Sequence, residues 1–153
     1  MTREDQRADS VRDVVVGVVH HIDAKRWSEL RALYADEVDT DYTSLFGGTP
    51  QKQTGDALIG GWRGALEKVR THHLLGPITV ELDAAGATAH CHVRALHRAP
   101  GAPSGEDWEV LGHYVFSLES GASGWKITAM KLETLLQSGN TKLLAEASAP
   151  ARR

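Results

Sequence analysis

The sequence predicts an α+β fold in which N-terminal helices pack on one face of a curved, mainly antiparallel (mixed) sheet. Three observations point there. Apolar residues in the first third recur at helical spacing, and four runs in the second half read as strands. Segments rich in glycine, proline and serine separate those runs. At 153 residues the chain suffices for one domain with a core and a pocket.

Asp9 or Ser10 can cap a first helix carrying Val11, Val14, Val15, Val18, Val19 and Ile22 at the 3.6-residue period. Valine is a mediocre helix former, so burial must hold this helix. A second helix fits residues 27–34, with Trp27, Leu30, Leu33 and Tyr34 on one side. After the acidic Ala35-Asp36-Glu37 comes a short extended segment, 38–42, and Gly47-Gly48-Thr49-Pro50 marks a loop. Thr54 or Asp56 can begin a third helix through Leu58, Ile59, Trp62, Leu66 and Val69. Its Gly60, Gly61 and Gly64 are costly in a helix interior unless something approaches that face closely. From residue 71 the period changes, giving strands over 71–82, 87–99, 108–120 and 125–136. A last short helix is expected over 141–147. Residues 1–8 and 148–153 read as disordered ends around one domain at 9–147.

Composition narrows the function classes. A net charge of -3 with scattered lysines and arginines gives no footprint for nucleic acid or an anionic membrane. No secretory signal is visible, and the run Val14 to Val19 is too short to span a bilayer, so a cytoplasmic location is expected. The single cysteine, Cys91, excludes an internal disulfide and reads as a small apolar filler. Gly47-Gly48 and Gly60-Gly61 lack the strand-loop-helix fingerprint of a nucleotide or flavin site, and no cofactor is expected.

Eight histidines are many for this length. His90-x-His92 places two imidazoles on one strand face, a plausible ligand pair. Alternation puts His97 on the opposite, apolar face with Cys91, Val93 and Ala95, so a metal site is not expected. In Arg70-Thr71-His72-His73-Leu74-Leu75-Gly76, alternation separates the adjacent histidines. His73 shares parity with Thr71 and Leu75, and His72 with Leu74, which leaves open which one faces inward.

Three stretches, in order and spacing, resemble scytalone dehydratase and the wider SnoaL-like, NTF2-like superfamily. The first runs from His21 to Trp27 and is followed by Asp41-Tyr42-Thr43-Ser44-Leu45-Phe46. The second is the segment from Arg70 to Gly76. The third is Val93-Arg94-Ala95-Leu96-His97-Arg98, followed by Leu111-Gly112-His113-Tyr114 and Gly124-Trp125-Lys126-Ile127. The likeness covers roughly Val11 to Leu135. It implies a cone, a bent sheet wrapped around helices with a deep apolar pocket, and it assigns His73 to that pocket.

The resemblance further implies catalytic roles for His73, His97, Asp23 and Tyr42. His73 matches the principal acid/base, His97 the second pocket histidine, Asp23 the carboxylate paired with it, and Tyr42 a tyrosine that polarises the substrate carbonyl. Those residue types suit an elimination beside a carbonyl. Imidazole can act as acid and base near neutrality, a carboxylate fixes an imidazole tautomer, and a phenol steadies developing enolate charge.

The match also departs from the dehydratase. Ile22 stands where that family has a second tyrosine, and Phe116 and Leu118 stand where it has polar pocket residues. The expected substrate-binding set is Ile22, Trp62, Val93, Tyr114, Phe116 and Leu118, lining a pocket for a hydrophobic polycyclic, steroid-like or terpenoid carbonyl compound. The expectation is a cofactor-independent lyase, a dehydratase. The alternatives are an isomerase or cyclase of ketosteroid or polyketide type, using Asp23 or Asp41 as base, and a non-catalytic ligand-binding or accessory subunit. A homo-oligomer, dimer or trimer, is expected through the outer sheet face around Val110, His92 and Arg94.

Overall fold

Helix α1 (Arg3–Asp23) begins ahead of the expected caps, because Thr2 and Asp5 form a capping box. The Thr2 hydroxyl accepts the Asp5 N–H at 3.1 Å, and the Asp5 carboxylate accepts the Thr2 N–H at 2.7 Å. Asp9 instead pairs with Arg12, and Ser10 donates to the Gln6 carbonyl. In this computed structural model, which describes residues 1–150, the segment expected as a disordered N-terminus therefore carries the cap and the first turns. Val11, Val15, Val18 and Ile22 fall on the buried face of α1, as their period requires.

Helix α2 (Trp27–Ala32) is shorter than expected, because Tyr34 is claimed by the sheet. Strand β1 (Tyr34–Asp41) pairs in parallel with the last strand, Tyr34 opposite Ile127, which buries the tyrosine. The short helix α3 (Thr43–Phe46) follows; the Asp41 carboxylate accepts both the backbone N–H and the hydroxyl of Thr43. Strand β2 (Gln51–Thr54) lines the sheet edge with an all-polar sequence. Helix α4 (Gly55–Ala65) is capped by Thr54, which accepts the Ala57 N–H. It stops before Leu66 rather than continuing to Val69.

The expected strand 71–82 is two strands, β3 (Arg70–Leu75) and β4 (Thr79–Leu82), both antiparallel to β5 (Gly86–Arg98). The break falls at Gly76-Pro77-Ile78, where proline has no N–H to continue the ladder. Strands β6 (Asp107–Gly121) and β7 (Gly124–Gly139) match their sequence signals closely, and helix α5 (Leu143–Ser148) closes the chain. Ser148, expected in a disordered tail, ends α5, while residues 151–153 of that tail lie outside the described residues.

The seven strands form one mixed sheet in the order β2-β1-β7-β6-β5-β3, with β4 also on β5. Its inner face is apolar from Cys91, Val93 and Ala95 across Phe116 and Leu118 to Met130 and Leu132. No described helix is long and apolar enough to cross a membrane.

A register shift between Leu111 and Gly112 bends β6 against β7. A Cβ at Gly112 would stand 2.5 Å from the Glu133 carbonyl oxygen, so the bend needs glycine. Gly112→Ala is expected to destabilise the fold by about 1–3 kcal/mol in chemical denaturation, the usual cost of overpacking.

Candidate active site

Asp23 is the last residue of α1, and its carboxylate meets the inner face of β3. There the His73 Nδ1 lies 2.6 Å from Asp23 Oδ1. The His73 backbone N–H donates to Oδ2 at 2.9 Å, and the Thr71 hydroxyl donates to Oδ1 at 2.8 Å. Alternation on β3 places Thr71 and His73 together, and it turns His72 outward, where it is exposed. Because an ionised carboxylate only accepts, Nδ1 carries the hydrogen of the short contact. In the neutral ring Nε2 is then the acceptor.

Burial opposes ionisation of Asp23. The bonds from the His73 ring and backbone outweigh it, helped by the Thr71 hydroxyl, and hold the carboxyl below its usual range.

The expected partner of Asp23 was His97, and the structure corrects this. His97 pairs across the ladder with Thr71 and Trp108, and its Nδ1 lies 3.3 Å from the Trp108 carbonyl oxygen. Its ring packs at a tilt against the Trp108 indole, centroids 4.5 Å apart. The carboxylate reaches β3 from α1, and His97 lies one strand further along the sheet. The two imidazoles still share one cavity, edge to face with centroids 6.1 Å apart.

Burial, then the charge His73 carries when it is protonated, pushes His97 down to about 4, so His97 is neutral at pH 7. The linked stability is complete above about pH 6.5. It is lost as pH falls toward about 4, because the unfolded chain then binds the extra proton. The full difference is on the order of 3 kcal/mol. Thermal unfolding followed from neutral pH down to pH 4 is expected to show this loss, and His97→Gln is expected to flatten that part of the profile.

Tyr42 precedes α3 and lines the same cavity. Its hydroxyl and that of Tyr34 both donate to the Met130 thioether, at 3.4 and 3.3 Å. Burial pushes the phenols of Tyr34, Tyr42 and Tyr114 up, which keeps them protonated donors. A thioether is a weak acceptor, so a substrate oxygen could draw the Tyr42 hydroxyl away at small cost.

The cavity holds about 170 Å³ of free space. Of the expected binding residues, Ile22, Trp62, Val93 and Tyr114 line it. Phe116 and Leu118 do not: they share the inward parity of Tyr114 but lie further along β6, in the solid core with Val11, Val15 and Val18. Val110, expected near an outer interface, faces the cavity, while His92 and Arg94 are exposed on the other face. Sequence reasoning missed Phe46, Trp108 and Leu144 as walls. Trp108 was legible, since it shares strand parity with Val110 and Tyr114. Asp41 is not among the lining residues and is engaged by Thr43. Among the described residues no group of three His, Cys, Asp or Glu side chains is arranged to hold a metal ion.

Helices against the inner face of a curved sheet, with an apolar cavity between them, define an NTF2-like cone. The chain belongs to the SnoaL-like domain family, whose pattern matches residues 4–131. No match was found among curated proteins. The Kfla4162 protein from Kribbella flavida is similar in structure, with 27% identity, TM-score 0.84, and coverage of 90% of this chain and 95% of its own. A candidate scytalone dehydratase from Novosphingobium aromaticivorans shares 22% identity over 86% of each chain, TM-score 0.73. A candidate dehydratase of the NTF2-like family from Streptomyces avermitilis shares 13% identity over 87% of this chain and 99% of its own, TM-score 0.72. At those last two identities the likeness is one of fold.

Proposed function

We propose that the protein is a cofactor-independent lyase that eliminates water beside the carbonyl of a hydrophobic cyclic compound. The observation that carries this reading is the 2.6 Å contact between Asp23 and a His73 ring lining an apolar cavity. In the proposed reaction His73 Nε2 removes the proton α to the carbonyl, and the electron pair moves into the enolate. Tyr42, with Tyr114 beside it, donates to the enolate oxygen. The enolate then expels the β-hydroxyl, which takes the proton from His73 and leaves as water. Asp23 fixes the His73 tautomer and offsets the imidazolium charge between the two steps. His97, neutral and with Nδ1 directed at the Trp108 carbonyl, acts as an acceptor that orients the departing hydroxyl.

Size limits the substrate. An apolar cavity of about 150 Å³ holds a benzene ring, so the space here encloses one ring, with a second fused ring at its open side, rather than the four of a steroid. An isomerase using a carboxylate base is less well supported, because Asp23 is committed to His73 and Asp41 to Thr43. A simple binding module would not need a carboxylate-linked imidazole in its pocket.

The test is turnover of a panel of one- and two-ring β-hydroxy ketones, followed by enone absorbance. The wild-type protein is expected to dehydrate at least one of them. A His73→Ala protein that is folded by circular dichroism and turns over undiminished would overturn the assignment.

A further inference from the structure

The inner face of the sheet is apolar along β5, β6 and β7 but becomes polar at the β1–β2 edge, where Thr40, Gln51 and Gln53 line a second cavity of about 340 Å³. This cavity shares Tyr42, Phe46 and Trp62 with the first. Those three rings form a partition, with Tyr42 centred 6.4 Å from Phe46 and 6.5 Å from Trp62. Phe46 is 62% exposed, which makes it the outermost of the three rings.

Thr40 is only 6% exposed. Its oxygen accepts from Gln53 Nε2 at 3.1 Å, and among the described residues no protein group accepts its own O–H. Gln53 Oε1 likewise keeps its acceptor capacity. A donor and an acceptor therefore stand side by side in a recess, and no charged side chain lines it. Thr40 is thus partnered once and Gln53 is half-buried, so the hydroxyl hydrogen and the amide oxygen stay available to a ligand, and an uncharged wall disfavours an ionised one. Gly47 and Gly48, both at positive φ with nothing within 4 Å of a Cβ, keep the mouth clear of side chains.

We propose that the second cavity is a subsite for a neutral donor–acceptor substituent, with a primary carboxamide the fullest match, on a substrate whose rings occupy the first cavity. The carboxamide oxygen accepts from Thr40, and its NH₂ donates to Gln53. The substituent reaches the recess past Phe46. This rests on the first cavity being the reaction chamber proposed above.

The probes are 2-tetralone and three derivatives with a short alkyl chain ending in carboxamide, carboxylate or isopropyl. Binding is measured by calorimetry and by quenching of tryptophan fluorescence. The carboxamide probe is expected to bind about tenfold more tightly than the isopropyl probe, as two net hydrogen bonds allow, and the carboxylate probe to gain nothing. Thr40→Val and Gln53→Leu, each checked by circular dichroism, are expected to erase the carboxamide advantage and leave plain 2-tetralone binding unchanged. Thr40→Ser, which restores the hydroxyl, is expected to retain the advantage.

Equal binding of the carboxamide and isopropyl probes to the wild type would overturn the proposal. So would an advantage that survives both replacements, tighter binding of the carboxylate probe, or no binding by any probe. Full turnover by His73→Ala would overturn the catalytic reading alone, since the probe preference does not use that imidazole.

Discussion

Turnover by a His73→Ala variant is expected to fall by about 10²- to 10⁴-fold, the span usual for loss of a positioned acid–base group. KM for the same substrate is expected to change little, because His73 is one side chain in a wall made mostly of aliphatic and aromatic groups. The split between kcat and KM matters, since a residue that only fills space would alter both. The His73 side chain is only 6% exposed, so alanine also leaves a void and removes a partner of Asp23. His73→Asn keeps the volume closer to native and can still donate to the carboxylate. The two variants are expected to share the fall in kcat while differing in stability, with Asn the milder in denaturant titration.

Asp23→Asn is expected to lower kcat by a comparable factor through a different cause. Asparagine can present its NH₂ to Nδ1, which then becomes the acceptor and sends the ring hydrogen to Nε2, facing the cavity. A histidine in that tautomer cannot begin by taking a proton from carbon. Exogenous imidazole separates the two variants: it is expected to restore part of the turnover to His73→Ala, which lacks the ring, and none to Asp23→Asn, which keeps it.

Asp23→Asn also has a stability signature. The Asp23 carboxyl is held below its usual range in the fold, so its stabilising contribution is present above about pH 3.9 and is lost as pH falls through the lower folded value. Acid unfolding of the wild type is expected to steepen in that window, and the Asn variant is expected to lack this component.

How much of this was legible in sequence depends on the range of the physical cause. Alternation within one strand is local, so His97 was visible on the inward row with Cys91, Val93 and Ala95, and the structure has it there. The same rule separated His72 from His73 but could not orient them. Orientation comes from what packs on β3, and only the family likeness indicated it. The Asp23–His73 contact depends on where the end of α1 meets the sheet, a tertiary fact with no period in the sequence, so the carboxylate was matched to the wrong imidazole. Strand β2 escaped notice because Gln-Lys-Gln-Thr has no apolar alternation to detect. The same polarity is what makes the recess beside it distinctive. Leu144 as a cavity wall depends on where α5 folds back, which its short apolar run does not encode.

The position of Asp23 at the end of a 21-residue helix has a consequence for how such a protein can vary. Val11, Val15 and Val18 key α1 into the core away from the cavity, so the angular setting of the carboxylate is fixed largely by residues that do not line it. Each residue advances a helix by about 100°. A one-residue insertion between Ile22 and Asp23 would turn the carboxylate away from β3 while leaving the buried stripe intact. Descendants with such a length change would be expected to fold normally and lose the proton-transfer pair.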